Sequence, residues 1–434
     1  MEGCLKAGAK SLKFAIRNCQ QAPKAKRLCP NSKDAEINRF VPLPEEIEEE
    51  ILLRLPADSL NKCKRVCKWW FDLINDPSFI NKHLLRATIE NRKPPSSSSS
   101  SSFSFFLKWI IPQELSGEDN YNPYGNDLSK LVLSLVTVCE DNDGNDGYLP
   151  CVIEQVNLPP IPVIEGEDFP TNFSVFHCNG IIHMFDNVKN WTSILLNPAL
   201  REFKLVREPD LPLPPKYEDV MGCGFGYDPK ANLYKYVKVF GDYLFEDPVA
   251  MVHTLGTNSW RKIKIDVEED DDCFLQPGGV YCKGAYHWLK TSRMGNTILS
   301  FDMSEEKFRS IPLPDHHSRR RSKNCLYILE VWKESVVLVN RTERSSFEMW
   351  VMVDNFGGIE GSTHWIKHLK IGPLARSDCP LAFWKDDELL FETKDGQVMS
   401  YNLYTKKLRK VPLSGGVRRG YTCATSCLSS LVSV

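Results

Sequence analysis

The chain has 434 residues, enough for a large core and a small extra domain, and its net charge of -2 gives no electrostatic reason to expect a nucleic-acid partner. Its fifteen cysteines are odd in number and show neither a CxxC pair nor a Cys/His ligand spacing, which argues against a disulfide framework or structural zinc. No secretory leader is evident and no apolar run approaches the roughly 18 residues of a membrane span, so a reduced, cytoplasmic or nuclear protein is expected.

Residues 1–40 carry Lys6, Lys10, Lys13, Arg17, Lys24, Lys26, Arg27 and Lys33 against Glu2, Asp34 and Glu36. Such a basic, acid-poor stretch reads as a disordered extension, with a transit peptide or a weak nuclear signal at PKAKR as the alternatives. Residues 41–90 then encode three short predicted helices. Pro44 opens the first, Glu45, Glu46 and Glu48 suit the positive end of its dipole, and Pro56 stops it. Ile47, Ile51 and Leu55 recur at four-residue spacing as one apolar stripe. Asp58 or Ser59 can cap the second helix, whose apolar positions are Leu60, Cys63, Val66, Cys67, Trp70, Leu73 and Ile74. Asp76-Pro77 starts the third, which carries Phe79, Ile80, His83, Leu84 and Leu85. So small a module leaves apolar surface uncovered, the pattern of a docking unit completed by a partner's helices.

This stretch resembles a plant F-box, matching its pattern at Leu43, Pro44, Glu50, Ile51, Leu52, Arg54, Leu55, Pro56, Val66, Cys67, Lys68, Trp70, Pro77, Phe79 and His83, among others. Asp58 stands where a Lys is usual, and Trp69 adds an aromatic beside Trp70. The resemblance implies docking on a Skp-type adaptor, and through it on cullin and RING subunits. The docking residues it implies are Leu43, Pro44, Ile47, Ile51, Leu55, Pro56, Leu60, Val66, Cys67 and Trp70.

Residues 91–102, with Lys93-Pro94-Pro95 and the run Ser96 to Ser102, read as a linker. From Phe103 to residue 434 the chain is a second, β-rich domain. Predicted strands include Leu131–Cys139, Ile181–Phe185, Ile194–Leu196, Tyr234–Phe240, Val336–Val339 and Phe347–Val353. A unit of two apolar strands about a turn recurs, its second strand marked by the bulky residues Phe203, Trp260, Phe308, Trp365 and Leu408. One more unit ends near CVIEQVNLP, and the spacing fits four-stranded propeller blades. Six blades is the reading; five or seven remain open.

NPALREFK, GFGYDPKANLYKYVKV, GGVYCKGAYHWL and ILSFDMSEEKFRSIPLP resemble the plant F-box-associated interaction domain, and within it the S-locus F-box group. The terminal CLSSLVSV resembles that group's last strand. The expected fold is therefore a multidomain α plus all-β chain, a three-helix F-box followed by a kelch-like β-propeller. The resemblance implies a non-catalytic, substrate-recognition subunit of an SCF-type ubiquitin ligase; the S-locus likeness implies an S-RNase target. Another intracellular plant target, or a propeller acting outside ubiquitin transfer, is the alternative.

Residues with chemical potential point to no enzyme. Gly222-Cys223-Gly224-Phe225-Gly226 lacks the spacing and lysine of a phosphate loop and reads as a strand. His287 reads as a core histidine, His316 and His317 as part of a solvated basic loop with Arg319, Arg320, Arg321 and Lys323, and His253, His364 and His368 show no ligand spacing. No catalytic residue, metal site or cofactor is expected. The acidic run Asp266, Glu268, Glu269, Asp270, Asp271 and Asp272 is either a solvated loop or a patch that steers a basic target.

Overall fold

The computed structural model describes residues 43–90, 103–111, 130–139, 147–158, 173–186, 193–206, 220–241, 248–257, 259–265, 274–292, 295–314, 327–343, 346–353, 363–374, 377–414 and 417–434. These form two compact units: one holds the helices together with residues 199–201 and 428–433, the other holds the sheets.

The helical unit contains four described helices, not three: α1 (Glu45–Leu52), α2 (Ala57–Cys63), α3 (Lys68–Ile74) and α4 (Pro77–Glu90). The second predicted helix is broken because Cys67 is extended, at φ -156° and ψ 165°, and serves as the N-cap of α3. Nor do Asp58 and Ser59 cap α2. That helix begins at Ala57 after the extended Pro56, and the Ala57 N–H donates instead to Ser429 Oγ at 3.2 Å. Asp76 caps α4 as its position suggests, accepting from the N–H groups of Ser78 and Phe79. Leu52, Leu60, Trp70, Ile74 and Phe79 close the core, each 2% exposed or less.

The other unit consists of six four-stranded antiparallel sheets. The first contains β1 (Phe103–Ile111), β2 (Lys130–Val138) and β3 (Cys151–Gln155). The second runs β4 (Phe173–Cys178), β5 (Ile181–Asp186), β6 (Ser193–Asn197) and β7 (Glu202–Val206). The third is β8 (Val220–Asp228), β9 (Leu233–Phe240), β10 (Val249–Thr254) and β11 (Trp260–Lys264). The fourth is β12 (Phe274–Cys282), β13 (Ala285–Thr291), β14 (Asn296–Asp302) and β15 (Phe308–Pro312). The fifth is β16 (Tyr327–Trp332), β17 (Ser335–Glu343), β18 (Ser346–Val353) and β19 (His364–Ile371). The sixth is β20 (Ser377–Lys385), β21 (Glu388–Thr393), β22 (Val398–Asn402) and β23 (Leu408–Lys410). The bulky repeat positions Phe203, Trp260, Phe308, Trp365 and Leu408 all fall at or next to the start of an outermost strand, which explains their period.

Strand β24 (Cys423–Ser426) completes the first sheet from the other end of the chain, pairing with β1 in the register Phe105↔Ser426 to Lys108↔Cys423. The terminal strand is thus CATS, and residues 427–434 carry no strand, contrary to the reading of CLSSLVSV. Strands β24, β4, β8, β12, β16 and β20 abut in succession and close a ring, giving a six-bladed propeller. A second fastening lies at the rim. Leu149 N–H donates to Lys410 O and Lys410 N–H to Gly147 O, so a segment preceding β3 lies parallel to β23.

The glycine-rich run is strand β8, and its glycines answer a packing demand. A Cβ on Gly224 would lie 2.6 Å from the Trp288 ring, and one on Gly226 would lie 2.5 Å from Tyr281. Removing both side chains lets the aromatic face of the next blade press onto the strand. Tryptophan N–H groups sew blades together: Trp288 donates to Cys223 O, Trp332 to Asp386 O and Trp365 to Pro312 O. Tight turns are held by acidic or amide caps. Asp302 Oδ1 accepts from the N–H groups of Ser304 and Glu305, Asn402 Oδ1 from those of Tyr404 and Thr405, and Asp228 Oδ1 from those of Lys230 and Ala231.

The buried carboxylates Asp228, Glu388 and Glu392 of the propeller all receive hydrogen-bond donors. Lys235 Nζ donates to Asp228 Oδ2 at 2.7 Å and also meets Glu306. Although burial opposes it, hydrogen bonding from Lys235 and Ser304 holds the Asp228 carboxyl down at about 2. Glu388 receives the Ser400 hydroxyl, Asn402 and Arg409, and Glu392 receives Thr422 and the Gly420 N–H.

Candidate functional site

The docking residues expected from the sequence separate, in the structure, into a surface set and a core set. Ile47 is 48% exposed, Pro44 and Pro56 are exposed, and Leu43, Ile51, Leu55, Val66 and Cys67 are half-buried. Leu60 and Trp70 are instead inside the core, 0% and 2% exposed. Both pack in the core of the helical unit.

The orientation of α1 follows from what ties down its far side. Trp70 Nε1 on α3 donates to Glu48 Oε2 at 3.0 Å, and Lys82 on α4 meets Glu49 at 2.8 Å. Arg86 and Arg54 both grip Glu50 at 3.0 Å and hold its carboxyl below the usual range. His83, buried on α4, hydrogen-bonds through Nε2 to the Leu55 carbonyl at 2.9 Å. A carbonyl can only accept, so His83 carries its proton on Nε2, and burial lowers its pKa. With Glu48, Glu49 and Glu50 engaged on neighbouring helices, Pro44 and Ile47 stay on the outside.

Other exposed apolar residues lie outside the expected docking set. Phe71 on α3 is 49% exposed, and Leu85 and Ile89 on α4 are 62% and 44% exposed. The available signal was the WWF run, in which three successive aromatics on one helix cannot all face the same core. Leu85 is one of the apolar positions of the third predicted helix, and it stands in solvent.

The acidic residues Asp266, Glu268, Glu269, Asp270, Asp271 and Asp272 lie outside the described residues, as do His316, His317, Arg319, Arg320, Arg321 and Lys323. His287 is buried on β13, as its strand position suggested. Among the described residues, no three His, Cys, Asp or Glu side chains gather as a metal ion would require. No described helix is long and apolar enough to cross a membrane.

Comparison with known proteins matches the same two regions. The F-box-like family covers residues 40–86 and the F-box associated beta propeller domain covers residues 154–420. An Arabidopsis thaliana protein described as F-box only protein 9 is 25% identical over 339 residues, 76% of this chain and 76% of its own. An F-box/kelch-repeat protein from the same plant is 24% identical, covering 80% of this chain and 81% of its own. The β-propeller domain of Cps50 (Swd1) from Myceliophteria thermophila superposes on 72% of this chain with 12% identity and a TM-score of 0.37, covering 90% of that domain. An F-box-like helical unit followed by a β-propeller whose family match spans more than half of the chain identifies it as a plant F-box protein with an F-box associated propeller domain.

Proposed function

We propose that the protein is the substrate-recognition subunit of an SCF-type ubiquitin ligase. The observation that carries this is the exposure of Ile47 and Phe71 on a helical unit whose own core is already closed. In this reading they dock on a Skp-type adaptor, which links the chain to cullin and RING subunits, while the propeller holds the target. The protein performs no bond chemistry; it raises the effective concentration of the target's lysines beside a ubiquitin-loaded enzyme.

Burying one large apolar side chain contributes about 1.5–3 kcal/mol, so a charge at its centre is expected to weaken docking at least about ten-fold. The test is co-purification of the full chain with a plant Skp-type adaptor, alongside Ile47→Asp and Phe71→Asp. Stoichiometric binding lost in both folded variants supports the assignment. Equal binding by all three removes it. Leu55→Asp and Val66→Asp are less clean, because both residues also pack against the core.

For the target, the S-locus likeness suggests a basic, S-RNase-type protein, and the acidic run Asp266–Asp272 supports it by charge complementarity. Reversing Asp270, Asp271 and Asp272 to Lys is expected to slow association with basic ribonucleases. An unchanged association rate would leave another intracellular target as the reading.

A further inference from the structure

We propose that Lys108 and Cys423 form an oxidant-dependent covalent crosslink, a sulfur–nitrogen bond that fastens the C-terminal strand to the first blade. The two residues are directly opposite in the β1–β24 ladder, so backbone register places both side chains on one face of the sheet. Lys108 Nζ lies 3.9 Å from Cys423 Sγ and donates to the Phe173 carbonyl at 2.9 Å; Cys423 Sγ is 3.6 Å from that same carbonyl oxygen. Amine, thiol and carbonyl thus form a triangle fixed by three strands. Lys108 is 1% exposed, so its amine cannot swing into solvent without disturbing the packing around it.

Cys423 is half-buried, as Cys139, Cys151 and Cys379 are, whereas Cys178, Cys223, Cys282 and Cys427 are buried. Partial exposure opens Cys423 to a small hydroperoxide, and the Lys108 amine opposite it in the ladder is what sets it apart from the other half-buried thiols. Oxidation selects exposed thiols with thiolate character, and burial pushes Cys427 up to about 12.

The chemistry has two balanced steps. A hydroperoxide oxidises the Cys423 thiol to a sulfenic acid and is itself reduced to an alcohol or water, its O–O bond breaking as an S–O bond forms. The Lys108 amine, having released its extra proton to solvent, then attacks sulfur. The N–S bond forms, the S–O bond breaks, and the hydroxyl leaves as water with a proton from nitrogen. Sulfenic acids condense in this way with nitrogen nucleophiles. The four-carbon lysine stem takes up the remaining approach. Because the linked residues are 315 positions apart, the bond would convert a hydrogen-bonded closure of the ring into a covalent one.

The experiment treats the reduced, full-length protein with a small excess of hydrogen peroxide, blocks remaining thiols, digests with trypsin and measures peptide masses. The expected product is a peptide pair joined at Lys108 and Cys423, two hydrogens lighter than the sum, uncleaved after Lys108 and released by dithiothreitol. Lys108→Arg keeps the cation and its donors but cannot condense, and Cys423→Ser cannot be oxidised, so neither should yield the pair. A wild-type digest in which Cys423 ends as sulfinic acid or a disulfide, with cleavage after Lys108 intact, overturns the proposal without reliance on either variant.

Discussion

The helical unit and the propeller solve the burial problem in opposite ways. Of the eleven large apolar side chains that stand exposed among the described residues, Ile47, Phe71, Leu85 and Ile89 belong to the short helical stretch 43–90. The much larger propeller holds the other seven, spread over its rim and turns. Its polar groups differ as well. Its Lys235–Asp228 pair is buried and Glu392 is 1% exposed, while the ion pairs of the helical unit, such as Glu50 with Arg54, lie in solvent. A ring of sheets supplies each blade with two neighbours and so completes its own core. Four short helices cannot, and their leftover apolar surface is what a partner can use.

Perturbing each unit in turn should expose that contrast. Leu60→Ala empties a fully buried site in the smaller core and is expected to cost about 2–5 kcal/mol. Hydrogen exchange should accelerate in α1 to α4 and stay unchanged in the sheets; acceleration in both would show that the units unfold together. Gly224→Ala places a methyl 2.6 Å from the Trp288 ring and is expected to cost about 1–3 kcal/mol, with faster exchange confined to β8 and β13.

Titration gives a third, smaller handle. His183 in the propeller is lowered to about 3 and His177 to about 4, in both cases by burial, against an ordinary 6.5. Since the unfolded chain takes the proton first, their stabilisation is complete above pH 6.5 and is lost as the pH falls, by about 1.4 kcal/mol per pH unit for each histidine. Glu330 runs the other way: pushed up to about 8 by burial, it contributes below pH 4.5 and loses that share as the pH rises to 8. Propeller stability should therefore pass through a maximum near pH 6.5, where the histidines are deprotonated and Glu330 still holds its proton. The helical unit titrates through His83 alone among its described histidines and should only weaken on acidification. Melting followed separately in the two units from pH 4 to 8 checks the sign of each trend. Smallest of all, Ile47→Asp should shift the stability of the free chain by only about 0.5 kcal/mol, because nearly half of the residue is already in water. A large loss would mean that Ile47 is structural and not a docking residue.

The order of elements was legible in the sequence wherever the cause was local. Short β-rich segments bounded by turn residues located β5, β6, β9 and β18 closely, and Asp76-Pro77 marked the start of α4. The bulky residue at or next to the start of five of the six outer strands showed the blade repeat, because every blade repeats the same burial problem along the chain. Which members of an apolar stripe remain outside could not be read this way. Ile47 and Leu60 look alike in a hydropathy pattern; only the grip of α3 and α4 on Glu48, Glu49 and Glu50 turns one outward. The break at Cys67, the cap that Ser429 lends to Ala57, and the closure of β24 onto β1 join residues that no local pattern connects. Periodicity along the chain was enough to specify helices, strands and their repetition, since those depend on neighbours a few residues apart. Ring closure, the split between exposed and core residues of the helical unit, and the meeting of Lys108 with Cys423 required the tertiary fold, since each depends on groups brought together across long stretches of chain.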